Sequence, residues 1–159
     1  MESANNLQRP EESSIAAERW KKLTGKINAK LKSNPPLKDI LETVNVAINK
    51  YEYKEESIDI WKSPHAFLSS DEKGTERGGD CEDYAIMKYT QLLQRGIPKE
   101  NMRIIVVRST IGLGAHALLV VDDPASGKQY FLDNLHVFSE YPIQCEPLYY
   151  VTEDKIYGF

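Results

Sequence analysis

Apolar residues recur at helical spacing through the first third of the chain, after a polar stretch, residues 1–13, that predicts a loose N-terminal arm. One helix is predicted from about residue 14 to the stop Asn34-Pro35-Pro36, and a second from about Leu37. The positions predicted for the inner faces of the two helices are Ile15, Ala16, Arg19, Trp20, Leu23, Ile27, Leu31, Ile40, Leu41, Val44, Ala47 and Ile48.

A stretch without clear periodicity, residues 54–79, separates these helices from a third. Because the stretch is long and ends in a polar, Gly-rich run at 69–79, it is predicted to be a loop. The third helix is predicted to open at Asp80, to continue through Leu93, and to stop at Gly96-Ile97-Pro98.

The second half of the chain changes to short β-branched and aromatic runs divided by turn residues. Strands are predicted at 104–107, 117–121 and 129–132, with a final strand within Tyr141–Tyr150. Helices followed by strands predict an α+β fold, with the helices packed on a mostly antiparallel sheet. One domain over residues 14–159 is expected from the length of 159 residues.

Composition narrows the classes of function. The net charge is −4 with both signs interspersed, and no basic stripe is present, so a nucleic-acid partner is not expected. The two cysteines, Cys81 and Cys145, are too few for a disulfide framework. If Cys81 is catalytic, Cys145 is expected to be a free, small buried residue.

Cys81 is the candidate nucleophile. It lies on the first turn of the predicted third helix, directly after Gly78, Gly79 and Asp80, and glycines let a backbone approach a substrate closely. Free N–H groups and the helix dipole favour an anion at such a position, and the thiolate is the reactive form of cysteine.

A base and an acid that orients it are found on the predicted sheet. His116 precedes the strand at 117–121, and Asp133 ends the strand at 129–132, so antiparallel pairing would bring them together. In such a triad cysteine attacks, histidine takes the proton and aspartate fixes the histidine tautomer. Taken singly, His116 is equally well explained as a hydrogen-bonded strand residue, and Asp133-Asn134 as turn residues.

These segments together resemble a known family. The strings Gly79-Asp80-Cys81-Glu82-Asp83-Tyr84-Ala85-Ile86, His116-Ala117-Leu118-Leu119-Val120 and Leu132-Asp133-Asn134 are similar to those of bacterial transglutaminase-like cysteine proteinases, above all the LapG-type branch. The resemblance covers roughly residues 37–152 and implies a papain-like, transglutaminase-like α+β fold with Cys81, His116 and Asp133 as the triad. Upstream, Ala66 stands where that family usually has an acidic residue.

The resemblance also implies a cofactor, partners and a location. Proteases of that branch are calcium-dependent endopeptidases that clip the N-terminal region of a large surface adhesin at an alanine-rich site, which releases cells from biofilm. By resemblance the calcium ligands would be Asp80, Glu82 and Asp83. A periplasmic location and a membrane-anchored regulatory receptor are implied too, with a monomer expected, although the first residues carry no export signal and leave a cytoplasmic location open.

The residues themselves also favour a cation near Cys81. Three flanking carboxylates oppose formation of a thiolate, and Ca²⁺, which prefers oxygen ligands, would offset them. A capping box formed by Asp80 and Asp83 accounts for both aspartates without metal, and the two explanations are compatible. Two rival functions stay open, namely transglutaminase-like acyl transfer on the same triad and a non-catalytic, calcium-binding interaction module.

Overall fold

The computed structural model describes residues 15–51, 68, 81–109, 115–133, 145–151 and 156–158, with the backbone alone at 107–109, 115–116 and from 145 onwards. The predicted arm lies outside these residues, as does the predicted loop at 54–79 apart from Leu68. Leu68 is helical and buried, which departs from the prediction of an irregular loop at that point.

The two predicted N-terminal helices are confirmed. Helix α1 spans Ile15–Lys30 and helix α2 spans Leu37–Asn49, on either side of the Pro35-Pro36 pair. The predicted inner face of α1 is wrong at its first residue, because Ile15 is 53% exposed. Arg19 on the same face is buried, and its guanidinium donates a hydrogen bond to the carbonyl of Leu68.

Helix α3 spans Cys81–Gln94 and begins where the glycines and Asp80 predicted. It ends in a Schellman motif, in which Ile97 N–H donates to Leu92 O at 3.1 Å and Gly96 N–H donates to Leu93 O at 3.1 Å. Gly96 has a φ of +95°, the left-handed conformation that this motif needs and that glycine adopts at little cost. The predicted stop is confirmed.

The strands form an antiparallel sheet, as predicted. They are β1 (Met102–Ser109), β2 (Ala115–Asp123), β3 (Lys128–Leu132), β4 (Cys145–Val151) and β5 (Ile156–Gly158). Their order across the described sheet is β3-β2-β1-β4-β5, and every neighbouring pair is antiparallel. The strand predicted within Tyr141–Tyr150 exists as β4 but is not the last, since β5 follows it.

The pairing of β1 with β4 contains a bulge. Val106 pairs with Tyr149 and Val107 with Pro147, so Leu148 is an extra residue on β4. Proline cannot donate a ladder hydrogen bond, and bulges are one of the places where a sheet accommodates it.

The main core lies between the sheet and the helices. Alternate residues of the strands, such as Leu119 and Leu132, pack with the inner faces of α1, α2 and α3 in one cluster. The residues between them, Ile105, Leu118, Val120 and Phe131, form a second buried cluster. The packing of the helices on an antiparallel sheet confirms the predicted α+β fold. No helix in the described part of the chain is long and apolar enough to cross a membrane.

Candidate active site

Cys81 is the first residue of α3, which packs against β2. Cys81 is not part of a disulfide, and the residue is 5% exposed, so the sulfur lies in a largely desolvated position. Desolvation of this kind favours the neutral thiol, whereas the helix N-terminus favours the thiolate. The groups around the sulfur therefore determine which form is present.

Two groups contact the sulfur and have opposite effects on formation of the thiolate. The backbone N–H of Ala117 on β2 donates a hydrogen bond to Cys81 Sγ at 3.3 Å, a contact that strengthens when the sulfur is negative. Glu82 Oε2 lies 3.3 Å from the same sulfur and accepts a hydrogen bond from the thiol. After loss of the thiol proton, that carboxylate and the thiolate would repel each other.

The sheet places His116 and Asp133 at one end of the β2–β3 ladder. His116 is the second residue of β2, where its backbone pairs with that of Val107. Asp133 directly follows Leu132, the last residue of β3, which pairs with Leu119 on β2. His116 is also the residue before Ala117, whose N–H donates to the Cys81 sulfur, so the backbone of β2 at His116 lies close to Cys81.

Asp133 is held at this end of the sheet by the last residue of α2. Asn49 Nδ2 donates a hydrogen bond to the carbonyl of Asp133 at 2.9 Å, and Asp133 itself is buried. A side chain on a helix thereby fixes the point where the chain leaves β3. Nothing in the sequence pattern indicated a role for Asn49.

The candidate metal ligands are buried carboxylates where the structure describes them. Glu82 and Asp83 lie on the first turn of α3 and are fully buried. Asp80 precedes the helix and lies outside the described residues, so the capping box and the three-residue ligand set stay predictions. Among the side chains that are described, no three His, Cys, Asp or Glu residues converge to hold a metal ion.

Lys88 is a buried lysine on the helix that begins at Cys81. It lies on α3, is 1% exposed, and its Nζ is 6.0 Å from the centroid of the Tyr84 ring. Burial lowers the pKa of Lys88 to about 7, and attraction to Asp133 and Cys81 acts in the opposite direction. The sequence contained one signal for it: Lys88 follows Cys81 by two helical turns and so shares its face.

A cysteine at a helix N-terminus, packed against the strand that carries a histidine, is the arrangement that a thiol hydrolase needs. A profile of the bacterial transglutaminase-like cysteine proteinases matches residues 9–141. The chain belongs to this family of cysteine proteases. A comparison with curated proteins returned no match.

Solved structures of LapG from Legionella pneumophila are similar to the chain over nearly its whole length. The calcium-bound form is 27% identical, with a TM-score of 0.72, over 92% of this chain and 81% of that one. The EGTA-treated form is 25% identical, with a TM-score of 0.73, over 99% of this chain and 83% of that one. The expected family and fold are thus both confirmed.

Proposed function

We propose that the protein is a cysteine endopeptidase with Cys81 as nucleophile, His116 as general base and acid, and Asp133 as the residue that orients the histidine. The observation that carries the proposal is the hydrogen bond from Ala117 N–H to Cys81 Sγ, which ties the sulfur to the strand next to His116. Membership of a cysteine-protease family supports the same assignment.

In the proposed reaction His116 removes the thiol proton, and the Cys81 sulfur forms a bond to the carbonyl carbon of the scissile peptide. Backbone N–H groups near Cys81 donate to the oxyanion that results. The C–N bond then breaks as His116 gives its proton to the leaving amine. Water, deprotonated by His116, hydrolyses the thioester and returns the free thiol.

The test of the nucleophile is Cys81→Ala, with Cys145→Ala as the matched control. Cys81→Ala is expected to abolish cleavage of a protein substrate and to keep the circular dichroism spectrum of the wild type, whereas Cys145→Ala is expected to cleave. Cleavage by folded Cys81→Ala would contradict the proposal. Incorporation of a labelled amine into the substrate in place of hydrolysis would reassign the enzyme to acyl transfer.

Calcium, held by Asp80, Glu82 and Asp83, belongs to the same proposal. The supporting observation is the 3.3 Å contact between Glu82 Oε2 and Cys81 Sγ, because a thiolate there needs the carboxylate charge to be offset. Two fully buried carboxylates on one helical turn suit a hard cation that prefers oxygen ligands. When bound, the ion would neutralise these carboxylates and fix the start of α3.

Removal of calcium tests the proposed calcium site. EGTA is expected to lower the melting temperature and the cleavage rate of the wild type, and added Ca²⁺ to restore both. Glu82→Gln is expected to lose most of the calcium-dependent rise in melting temperature, while Glu100→Gln, at an exposed glutamate, keeps it. Equal melting temperatures and rates of the wild type with Ca²⁺ and with EGTA would contradict the calcium site.

For the substrate we propose the N-terminal region of a large surface adhesin, cleaved in the periplasm at an alanine-rich site, with release of cells from biofilm and control by a membrane-anchored receptor. Support comes from the likeness to LapG and to the branch of proteases around it. Incubation with such an adhesin segment should give one cut within the alanines. If the enzyme cuts a general protein substrate but not the adhesin segment, the proposed adhesin substrate is contradicted, while the assignment as a protease still holds.

A further inference from the structure

The last turn of α2 is bonded to two parts of the proposed active site. Its final residue, Asn49, donates through Nδ2 to the carbonyl of Asp133 at 2.9 Å. Two residues later, the carbonyl of Tyr51 accepts a hydrogen bond from the hydroxyl of Tyr84 at the start of α3. The same short stretch of chain therefore joins the helix that begins at Cys81 to the residue proposed as the triad acid.

The backbone around Asn49 is itself firmly placed. Ile48 is fully buried in the main core, and its carbonyl accepts a hydrogen bond from the N–H of Tyr51 at 3.1 Å. Because the residues on both sides of it are anchored, the Asn49 side chain extends from a fixed point. A group that orients a reacting side chain needs support of this kind.

Asp133 lies at the point where the chain leaves the sheet. The described register between β2 and β3 ends where Leu132 pairs with Leu119, one residue before Asp133. The bond from Asn49 ties this point to a helix. Since the carbonyl and the carboxylate of Asp133 branch from the same Cα, holding the carbonyl restricts the positions that are open to the carboxylate.

The amide of Asn49 has one satisfied and one unsatisfied end. Within the described part of the chain, its Oδ1 is buried and has no hydrogen-bond partner. A buried acceptor without a partner costs stability, and such a group in a folded protein calls for an explanation. Contact with a proposed catalytic residue supplies one, because functional sites retain side chains that the fold alone would not favour.

Resting on the proposed function, we propose that Asn49 is a positioning residue of the active site that acts through Asp133. Its hydrogen bond to the Asp133 carbonyl holds this residue where its carboxylate orients His116 during the reaction. Asn49 itself contacts neither the substrate nor the reacting atoms.

The test compares Asn49→Ala with Asn45→Ala, and repeats Asn49→Ala together with Asp133→Ala. Asn45 lies one turn earlier on α2, is 2% exposed, and its Oδ1 also lacks a partner among the described residues. Both substitutions remove an amide with a buried oxygen, and of the two asparagines Asn49 is the one bonded to Asp133.

The readouts are the melting temperature and the kcat and KM for cleavage of the labelled adhesin segment in the presence of Ca²⁺. A labelled general protein substrate replaces the segment if only that substrate is cut. Asn49→Ala is expected to lower kcat about tenfold and to keep KM within about twofold, because a misplaced acid slows the chemistry without changing substrate contacts. Asn45→Ala is expected to keep both constants of the wild type even if it melts at a lower temperature.

The double variant separates positioning from stability. In the Asp133→Ala background, Asn49→Ala should not lower kcat further, since no carboxylate is left to position. It should still lower the melting temperature, because the carbonyl at position 133 remains. Loss of kcat by the same factor in both backgrounds would overturn the role of Asn49, as would a wild-type kcat in Asn49→Ala.

Other outcomes separate this proposal from the proposed function. Asp133→Ala with the kcat of the wild type would contradict the triad itself, whereas an additive loss from Asn49→Ala leaves the protease intact. If Asn49→Ala does not fold, Asn49→Ser is measured in its place. Failure of both variants to fold would assign Asn49 to the stability of the core and overturn its role in the active site.

Discussion

Single residues around Cys81 carry an unusual density of buried charge. Glu82 and Asp83 are fully buried, Asp133 is nearly so, and Lys88 is 1% exposed. Buried charges are costly unless opposite charges accompany them, so this cluster is expected where function rather than stability has shaped the core. The balance between the carboxylates and the available cations decides whether the sulfur is a thiol or a thiolate.

The buried lysine predicts a pH dependence of stability. Its pKa is lowered from 10.5 to about 7 in the folded protein, chiefly by burial, so between these values the unfolded chain binds the proton and the folded chain does not. The free energy of unfolding should therefore rise with pH across this window, by up to about 1.4 kcal/mol per pH unit from this group alone.

Lys88→Met lacks this titration, which makes it the reference protein. Urea unfolding at about pH 7.5 and about pH 9.5 should show the wild type gaining stability relative to Lys88→Met as the pH rises. A constant difference between the two proteins over this range would show that the lysine keeps its proton when folded.

At the scale of elements, α3 connects the fold to the site, since its first residue is Cys81 and its end is fixed by Gly96. An alanine at Gly96 meets no atom within 4 Å, so the cost of Gly96→Ala arises from its φ of +95° alone. We expect Gly96→Ala to lower the free energy of unfolding by about 1 kcal/mol.

The matched control is Gly25→Ala in the middle of α1, where an added methyl group also meets no atom within 4 Å. Here the backbone is helical, so the substitution should raise the free energy of unfolding by roughly 0.5–1 kcal/mol. Chemical denaturation of both variants measures the two changes in the free energy of unfolding. The same sign of change at both positions would contradict the conformational explanation.

At the scale of the whole molecule, much of the fold could be predicted from local pattern. The helices α1, α2 and α3 were marked by helical periodicity and by Pro35-Pro36 and Gly96, and the antiparallel sheet by short runs divided by turns. The triad of Cys81, His116 and Asp133 was predicted by resemblance, and the structure adds that the strand carrying His116 contacts the Cys81 sulfur through Ala117. The side-chain contacts of the triad stay a prediction.

What the sequence did not predict depends on contacts between distant elements. Lys88 is of a residue type normally found at the surface, and only tertiary packing buries it. Asn49 donates its hydrogen bond to the carbonyl of Asp133 because the end of α2 meets the end of β3, 84 positions further along the chain. Ile15 was predicted on a buried face but is 53% exposed, whereas its neighbour Ala16 is fully buried in the core.

The central claim is that Cys81 is a nucleophile whose reactivity requires a cation at the neighbouring carboxylates. Its most direct test is the rate of Cys81 alkylation by iodoacetamide in the native full chain, quantified by mass spectrometry with Ca²⁺, with EGTA, and after Ca²⁺ is restored. We expect fast alkylation with Ca²⁺ that exceeds that of Cys145, slow alkylation with EGTA, and recovery when Ca²⁺ is restored. Equal rates at Cys81 in all three conditions, no higher than at Cys145, would contradict it.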